Sequence, residues 1–135
     1  MIKILLDTNV ILDSLASRKP YAKQADDIFN LIAKNRIEGY LNTSSVTDIY
    51  YILRKTLGDV ASRNEIRKIL SILQVIEVTK TDCQIALDSL IADFEDALVV
   101  VCADKVGLDY IVTRDVEFLK LPITISPESF LTEFE

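Results

Sequence analysis

The chain contains no histidine and no tryptophan among its 135 residues, and it has only two cysteines, three glycines and three prolines. The absence of histidine excludes Ser-His-Asp and Cys-His triads, histidine-bound metal sites and two-histidine ribonuclease mechanisms. Any hydrolysis by this chain must therefore depend on carboxylates, hydroxyls, lysine or a metal ion.

The cysteines and the apolar segments place further limits on the class of protein. Cys83 and Cys102 have no second cysteine nearby, which favours two reduced core thiols over a zinc site or a redox pair. The longest apolar run, at residues 97–103, is too short to span a bilayer, and Asp7 interrupts the amino-terminal run before a signal-peptide core forms. We expect a single cytoplasmic domain, residues 1–135, that makes no membrane contact.

The charge balance is acidic, with 15 basic and 21 acidic residues and a net charge of -6. This balance argues against binding of nucleic acid by bulk electrostatics, which requires clustered Lys and Arg. It does not exclude an enzyme whose acidic site binds divalent cations and whose few basic residues line the rim. A solvated acidic surface would explain the balance equally well.

Short strands and longer helices alternate along the chain. Segments rich in Ile, Val, Leu or Tyr predict strands at residues 3–6, 39–42, 75–78, 110–113 and 123–125. Apolar spacing of three to four predicts helices from residue 10 and at residues 21–34, 46–57, 64–73, 82–91 and 93–106. Thr81 is placed to cap the fifth helix and Gly107 to end the last. The alternation predicts an α/β fold, a mainly parallel sheet of about five strands covered on both faces.

Four acidic residues lie where strands end or helices begin. Asp7 and Asp115 follow predicted strands, whereas Asp48 and Asp96 fall in predicted first turns of helices, where the helix dipole favours an ionised carboxylate. Because open α/β sheets place their chemistry at the carboxyl ends of strands, we expect these side chains to meet at one edge. Carboxylates about 6 Å apart repel by about 3 kcal/mol per pair at an effective dielectric of about 20, so the cluster requires cations or protons.

Oxygen ligands of this kind suit Mg²⁺ or Mn²⁺. Such a site can activate a water molecule and stabilise the attacking and leaving oxygens at a phosphorus centre without histidine. Thr8, Asn9 and Thr113 are candidates to orient a carboxylate or bind a water, although capping explains each about as well. For Asp93, one turn before Asp96, we favour a solvated or capping role over a second metal site. The pattern predicts a metal-dependent nuclease.

Four motifs in this order resemble those of PIN domains, including VapC-like toxin ribonucleases, over essentially the whole chain. They are ILLDTN at residues 4–9, TSSVTDIYY at 43–51, DFEDA at 93–97 and VTRDVEF at 112–118. The resemblance implies a PIN-like three-layer α/β/α fold with a five-stranded parallel sheet, and Mg²⁺- or Mn²⁺-dependent endoribonuclease activity. It also implies a homodimer and, in the toxin branch, a small antitoxin protein as partner.

The resemblance carries over to individual residues. Asp7, Asp48, Asp96 and Asp115 match the family's catalytic and metal-binding acids, Asn9 its common polar neighbour, and Thr113 the hydroxyl often found before the last acid. Many VapC-like members carry Glu at the position of Asp48, so the shorter side chain here changes a ligand distance. Among basic residues Arg114 is the first candidate for RNA contact because it adjoins Asp115. Further candidates, for most of which a solvated face or local ion pairs are the better explanation, are Arg54, Lys55, Arg63, Arg67 and Lys68.

Other functions remain open at this point. A PIN domain can serve in RNA processing outside a toxin system, and one retained only for binding would show a broken acidic set. A receiver-like signalling domain expects an acidic pair at the first strand, an Asp after the third and a late Lys, but Asp7 has no acidic neighbour and the last predicted strand leads into Ser126-Pro127. A haloacid-dehalogenase-like phosphatase expects a second Asp where Asn9 stands.

Overall fold

In the computed structural model, which describes residues 1–135, five parallel strands form one sheet in the order β3-β2-β1-β4-β5. The strands are β1 (Lys3–Leu6), β2 (Glu38–Asn42), β3 (Gln74–Ile76), β4 (Tyr110–Val112) and β5 (Thr124–Ile125). The predicted parallel sheet of five strands is therefore confirmed. The order places β1 at the centre, so that Asp7, which follows it, lies in the middle of the carboxyl edge.

Helices cover both faces of this sheet. They are α1 (Thr8–Leu15), α2 (Ala22–Ala33), α3 (Thr43–Ile72), α4 (Lys80–Leu87), α5 (Phe94–Val106) and α6 (Pro127–Phe134), with a short 3₁₀ turn at Phe118–Lys120. Because side chains alternate along a strand, Ile4 and Leu6 pack into a core with α1, α2, α3 and α6, whereas Leu5 packs into a second core with α5. The three-layer α/β/α arrangement is thus confirmed.

Helix α3 consists of two helices that meet at a kink, as the sequence predicted. The only non-helical residue within Thr43–Ile72 is Gly58, with φ 79° and ψ 177°, directly after the predicted end of the first helix at residue 57, and the second helix begins before the predicted residue 64. Glycine adopts this positive φ without steric cost. The break is therefore a sharp kink rather than a loop.

Asp48 lies in the second turn of α3, because the helix begins at Thr43. The expectation that Asp48 lies in the first turn was therefore wrong.

The cap predicted for α4 was also wrong. Thr79, not Thr81, caps the helix: its Oγ1 accepts from the Asp82 backbone N–H at 3.2 Å, and Asp82 Oδ2 accepts from the Thr79 N–H at 3.0 Å. This reciprocal pair satisfies two helix-end donors at once, and Thr81 lies inside the helix. The helix ends at Leu87, short of the predicted residue 91.

The ends of helix α5 and the start of helix α6 lie at residues that the local sequence marks as helix caps. Helix α5 begins after Asp93 and ends at Gly107, whose φ of 74° is left-handed, as predicted. Helix α6 was not predicted, although Ser126 caps it by accepting from the Ser129 N–H at 3.1 Å and Pro127 occupies its first turn. Cys83 and Cys102 are both free thiols; Cys102 is buried, as expected of a core thiol, whereas Cys83 is only partly buried. None of the helices combines the length and apolar composition needed to cross a bilayer.

Candidate active site

A cavity of about 350 Å³ opens at the carboxyl edge of the sheet, where α1, α3 and α5 meet. Its lining contains six acidic residues and no basic residue. The lining residues are Asp7, Thr8, Asn9, Asp48, Ile52, Asp93, Glu95, Asp96 and Asp115. The structure thus brings together all four acids that the sequence singled out, with Thr8 and Asn9 beside them.

Asp7 lies at the floor of the cavity, held between β1 and α1. It caps α1, with Oδ1 accepting from the Thr8 N–H at 2.9 Å, and its Oδ2 accepts from the Thr113 hydroxyl at 2.8 Å. Burial raises the pKa of Asp7, the hydrogen bonds from Thr113 and Thr8 oppose that rise, and the charges of Asp115 and Asp93 add to it. Both carboxylate oxygens are therefore oriented before any ligand binds.

Thr113 connects Asp7 to the loop that carries Asp115. It follows β4 directly in a fully buried position, and its Oγ1 both donates to Asp7 and accepts from the Asp115 N–H at 3.1 Å. Asp115 in turn uses Oδ1 to accept from the Glu117 N–H at 3.0 Å. One hydroxyl therefore fixes the relative position of two acids that follow neighbouring strands, in keeping with the orienting role predicted for Thr113.

Asp96 lies in the first turn of α5 and has the most perturbed carboxyl group of the cavity. Burial is the largest cause that raises its pKa to about 7, and the charges of Asp93, Asp7, Asp115 and Glu95 raise it further. Asp93 caps α5 by accepting from the Asp96 N–H at 3.0 Å, which is the capping role that the sequence favoured. Without a cation, the raised pKa favours the protonated form of the Asp96 carboxyl at near-neutral pH far more than in an ordinary aspartate.

Glu95 is a cavity residue that the sequence did not single out. Burial, followed by the charges of Asp48, Asp7 and Asp93, raises the pKa of its carboxyl group. The one available signal was its position beside Asp96 in the first turn of α5. Asp48 is exposed on the wall formed by α3, so Glu95 and Asp48 extend the acidic surface from the floor toward the solvent.

The lining residues fit a divalent cation in their chemistry. All charged donors are carboxylate oxygens, the ligands that Mg²⁺ and Mn²⁺ prefer. The buried Thr8 hydroxyl has no hydrogen-bond partner in the protein, as expected for a group that bonds to a water or a hydrated ion. In this geometry, however, no group of three acidic side chains is gathered closely enough to hold an ion. Ion binding therefore requires the carboxylates to rotate toward one another.

Arg114, the first candidate for RNA contact, does not line the cavity. Its Nε donates to Asp13 Oδ2 at 2.7 Å and its Nη2 to Asp13 Oδ1 at 3.1 Å. The guanidinium carbon lies 4.1 Å from the centre of the Tyr21 ring. The side chain is thus occupied by partners on α1 and just before α2.

The other basic candidates divide into paired and unpaired charges. Arg63 forms an ion pair with Asp59 at 2.8 Å and Lys68 one with Glu65 at 3.1 Å, the local pairing that the sequence favoured. Three residues have no carboxylate partner: Arg54, Lys55 and Arg67. A larger cleft of about 600 Å³ continues from the acidic cavity, sharing Asp93, Asp96 and Asp115 with it. Its apolar walls give room for a substrate beside the acids.

Comparison with known proteins identifies the family. The model of the PIN domain matches residues 3–117. Ribonuclease VapC1 of Aquifex aeolicus (strain VF5) is 26% identical over 128 residues, which cover 91% of this chain and 88% of that relative.

Solved structures share the fold. VapC20 of Mycobacterium tuberculosis, a sarcin-ricin loop cleaving toxin, has a TM-score of 0.70 at 16% identity, with 87% of this chain and 93% of that chain covered. The DNA-bound VapBC of Salmonella typhimurium has a TM-score of 0.69 at 19% identity, with 94% of this chain and 99% of that chain covered. Because the family model extends over most of the sequence and the fold agrees with these structures, the chain belongs to the PIN-domain family.

Proposed function

We propose that this chain is an Mg²⁺- or Mn²⁺-dependent endoribonuclease and the toxin of a type II toxin-antitoxin pair. The observation that carries the proposal is the cavity at the carboxyl edge, with six acidic residues and no basic residue in its lining. A site of this composition repels an RNA phosphate unless cations are bound. The similarity to a VapC ribonuclease over 91% of the chain supports the same activity.

The roles of the residues follow from their contacts. Asp7, Asp96, Asp115 and Asp48 would hold the cation, as both catalytic and metal-binding residues. A divalent ion bound there would lower the pKa of a water molecule and stabilise the charge that develops at the phosphorus centre. Thr113 keeps Asp7 and the loop of Asp115 in register through its hydroxyl. Thr8 and Asn9 offer a hydroxyl and an amide for water at the cavity floor.

The first test is cleavage of a mixed pool of structured RNA by the purified protein. We expect cutting with Mn²⁺ or Mg²⁺, none with EDTA, and recovery when the cation is added back, because the carboxylates alone cannot offset the phosphate charge. DNA of the same sequences serves as the matched substrate and should be cut far less. Cutting that persists in EDTA contradicts the proposal.

Two further substrates separate the competing functions. Phosphorylation of the protein by acetyl phosphate would instead indicate a receiver-like domain, and release of phosphate from a phosphomonoester would indicate a phosphatase. We expect neither, because the chain lacks the second acid beside Asp7 that each of those sites requires.

The toxin proposal adds an antitoxin partner and a homodimer acting in the cytoplasm, where RNA is available. Large apolar side chains remain exposed near α4 and the start of α5, including Leu87, Leu90 and Phe94, which are 69%, 104% and 45% exposed. Surfaces of this kind mark protein contacts.

Expression of the protein in a bacterial host should arrest growth, and co-expression of its small antitoxin should relieve the arrest. Normal growth on expression of active ribonuclease would place it in RNA processing instead.

Contact with the RNA backbone is expected at Arg54 and Arg67, which have no carboxylate partner. Arg67 donates only to the neutral Asn64 at 2.9 Å, and the Arg54 guanidinium carbon lies 5.4 Å from the centre of the Tyr51 ring. Arg54→Ala and Arg67→Ala should each raise the Kd for RNA severalfold and lower the slope of log Kd against log salt by about 0.7, the value for one phosphate contact on a single strand.

Arg63→Ala is the matched control for this experiment, because the charge of Arg63 is already paired with Asp59. Fluorescence anisotropy with labelled RNA in EDTA measures binding without cleavage. An equal effect of all three substitutions, or an unchanged salt slope for Arg54→Ala and Arg67→Ala, would contradict the assignment.

A further inference from the structure

Asp13 is a buried carboxylate held by two arginines. It lies on α1 with 1% of its surface exposed, and Arg114 binds both of its oxygens, at 2.7 and 3.1 Å. Arg18 Nη1 lies 3.7 Å from Oδ1 on the same carboxylate. A buried carboxylate is costly without such partners, and a two-pronged contact with arginine is the most directional of its ion pairs.

Tyr21 completes the environment of Arg114. Its ring lies against the guanidinium, 4.1 Å from the centroid to the guanidinium carbon. Asp13 therefore occupies one edge of the guanidinium and Tyr21 covers one face. A residue that bound RNA phosphate would instead need this edge to face the solvent.

The pair connects two segments of the candidate active site that are far apart in sequence. Helix α1, which carries Asp13, begins directly after Asp7, and Arg114 stands between Thr113 and Asp115. The partners are separated by 101 positions. The chain between β4 and the 3₁₀ turn has no strand pairing of its own. Backbone hydrogen bonds hold its two ends, from the Thr113 N–H to the Ile125 carbonyl at 3.0 Å and from the Leu119 N–H to the Asp115 carbonyl at 2.9 Å. Its side-chain connections to Asp7 and α1 are the Thr113 hydroxyl to Asp7 and the Arg114 guanidinium to Asp13.

We propose that Arg114 is a positioning residue, whose two-pronged contact with Asp13 fixes the loop carrying Asp115 against the helix that starts at Asp7. The inference rests on the proposed function, in which Asp7 and Asp115 hold a divalent cation. Its consequence is specific: loosening the pair separates these two acids and weakens cation binding, while RNA affinity stays the same. Residues that orient metal ligands typically contribute 10- to 100-fold to metal affinity.

The test is direct binding of Mn²⁺, followed by electron paramagnetic resonance, which requires no cleavage. Arg114→Ala should raise the Kd for Mn²⁺ about tenfold or more and leave the Kd for RNA in EDTA unchanged. In the cleavage assay it should raise the Mn²⁺ concentration for half-maximal rate, with much of kcat recovered at saturating Mn²⁺. Arg114→Lys should recover only part of the loss, because lysine keeps the charge but not the two-pronged geometry.

Two comparisons separate positioning from a general loss of stability. Lys105→Ala is the matched control, since it breaks the 2.6 Å pair with Asp82 at residues outside the cavity lining, and it should leave Mn²⁺ affinity unchanged. Asp13→Ala should match Arg114→Ala in Mn²⁺ affinity, and the double variant should be no weaker than either, because residues acting as one pair are not additive.

The outcomes are distinguishable. Unchanged Mn²⁺ affinity in Arg114→Ala overturns the positioning role, and a raised RNA Kd with normal Mn²⁺ affinity makes Arg114 an RNA contact instead. Absence of Mn²⁺ binding by the wild-type protein overturns the proposed metal-dependent function and the positioning role together.

Discussion

Asp96→Asn should abolish RNA cleavage and at the same time stabilise the cation-free protein. The Asp96 carboxyl has its pKa raised to about 7, first by burial and then by four neighbouring acids. Removing its charge relieves that repulsion, so the variant should gain about 1–2 kcal/mol at pH 8 in EDTA, after allowance for solvent screening. The loss of one cation ligand should lower the cleavage rate by roughly 100-fold or more, since the bound ion supplies several kcal/mol of transition-state stabilisation.

The matched control is Asp104→Asn, which removes the same charge from an exposed position on the same helix. This variant should cleave RNA at the wild-type rate. Urea denaturation in EDTA gives the free energy of unfolding, and gel assays with Mn²⁺ give the rate. An active Asp96→Asn protein would remove Asp96 from the proposed catalytic set, and a less stable one would show that repulsion in the cavity is already relieved by another route.

The stability of the cation-free protein should fall as pH rises from about 4 to about 7. A carboxyl with a folded-state pKa of about 7 and an ordinary value of 3.8 binds its proton more tightly in the folded state. Its contribution is therefore complete below pH 3.8, is lost between pH 3.8 and about 7, and is constant above that range. The raised pKa values of Asp7 and Glu95 act in the same direction.

Urea denaturation in EDTA across this pH range measures the effect, with Asp96→Asn as the comparison that should flatten the curve. The lowered pKa values of Asp59 and Asp82 act in the opposite direction, but only below their ordinary value of 3.8. Adding Mn²⁺ at pH 7.5 should restore about 2.7 kcal/mol when its concentration is about 100 times its Kd. Stability that rises with pH between 4 and 7 in EDTA would contradict the predicted repulsion.

Local sequence signals were sufficient for the sheet and for the position of the acids. Hydrophobic runs predicted the five strands, and turns in the pattern placed Asp7, Asp48, Asp96 and Asp115 at one edge, where the structure has them around one cavity. Their roles as metal ligands stay predictions. The family resemblance rested on the same residues, and the match of the PIN domain model confirms it.

Features that depend on distant residues were not available from local patterns. The cap of α4 is a different case, because the Thr79–Asp82 spacing of a capping box is a local signal that the choice of Thr81 overlooked. The partner of Arg114 was out of reach of local patterns, because Asp13 lies 101 positions away. The position of Arg114 beside Asp115 suggested a contact with RNA, whereas tertiary packing pairs the Arg114 guanidinium with the buried Asp13 carboxylate.

The central place of β1 in the sheet determines when the candidate active site can assemble during translation. Asp7 is synthesised 106 positions before its partner Thr113, which arrives only with β4. At about 5–20 residues per second of translation, that delay is roughly 5–20 s. Fragments that end before β4 lack both Thr113 and Asp115, so the proposed ribonuclease should not cut RNA before β4 has emerged from the ribosome.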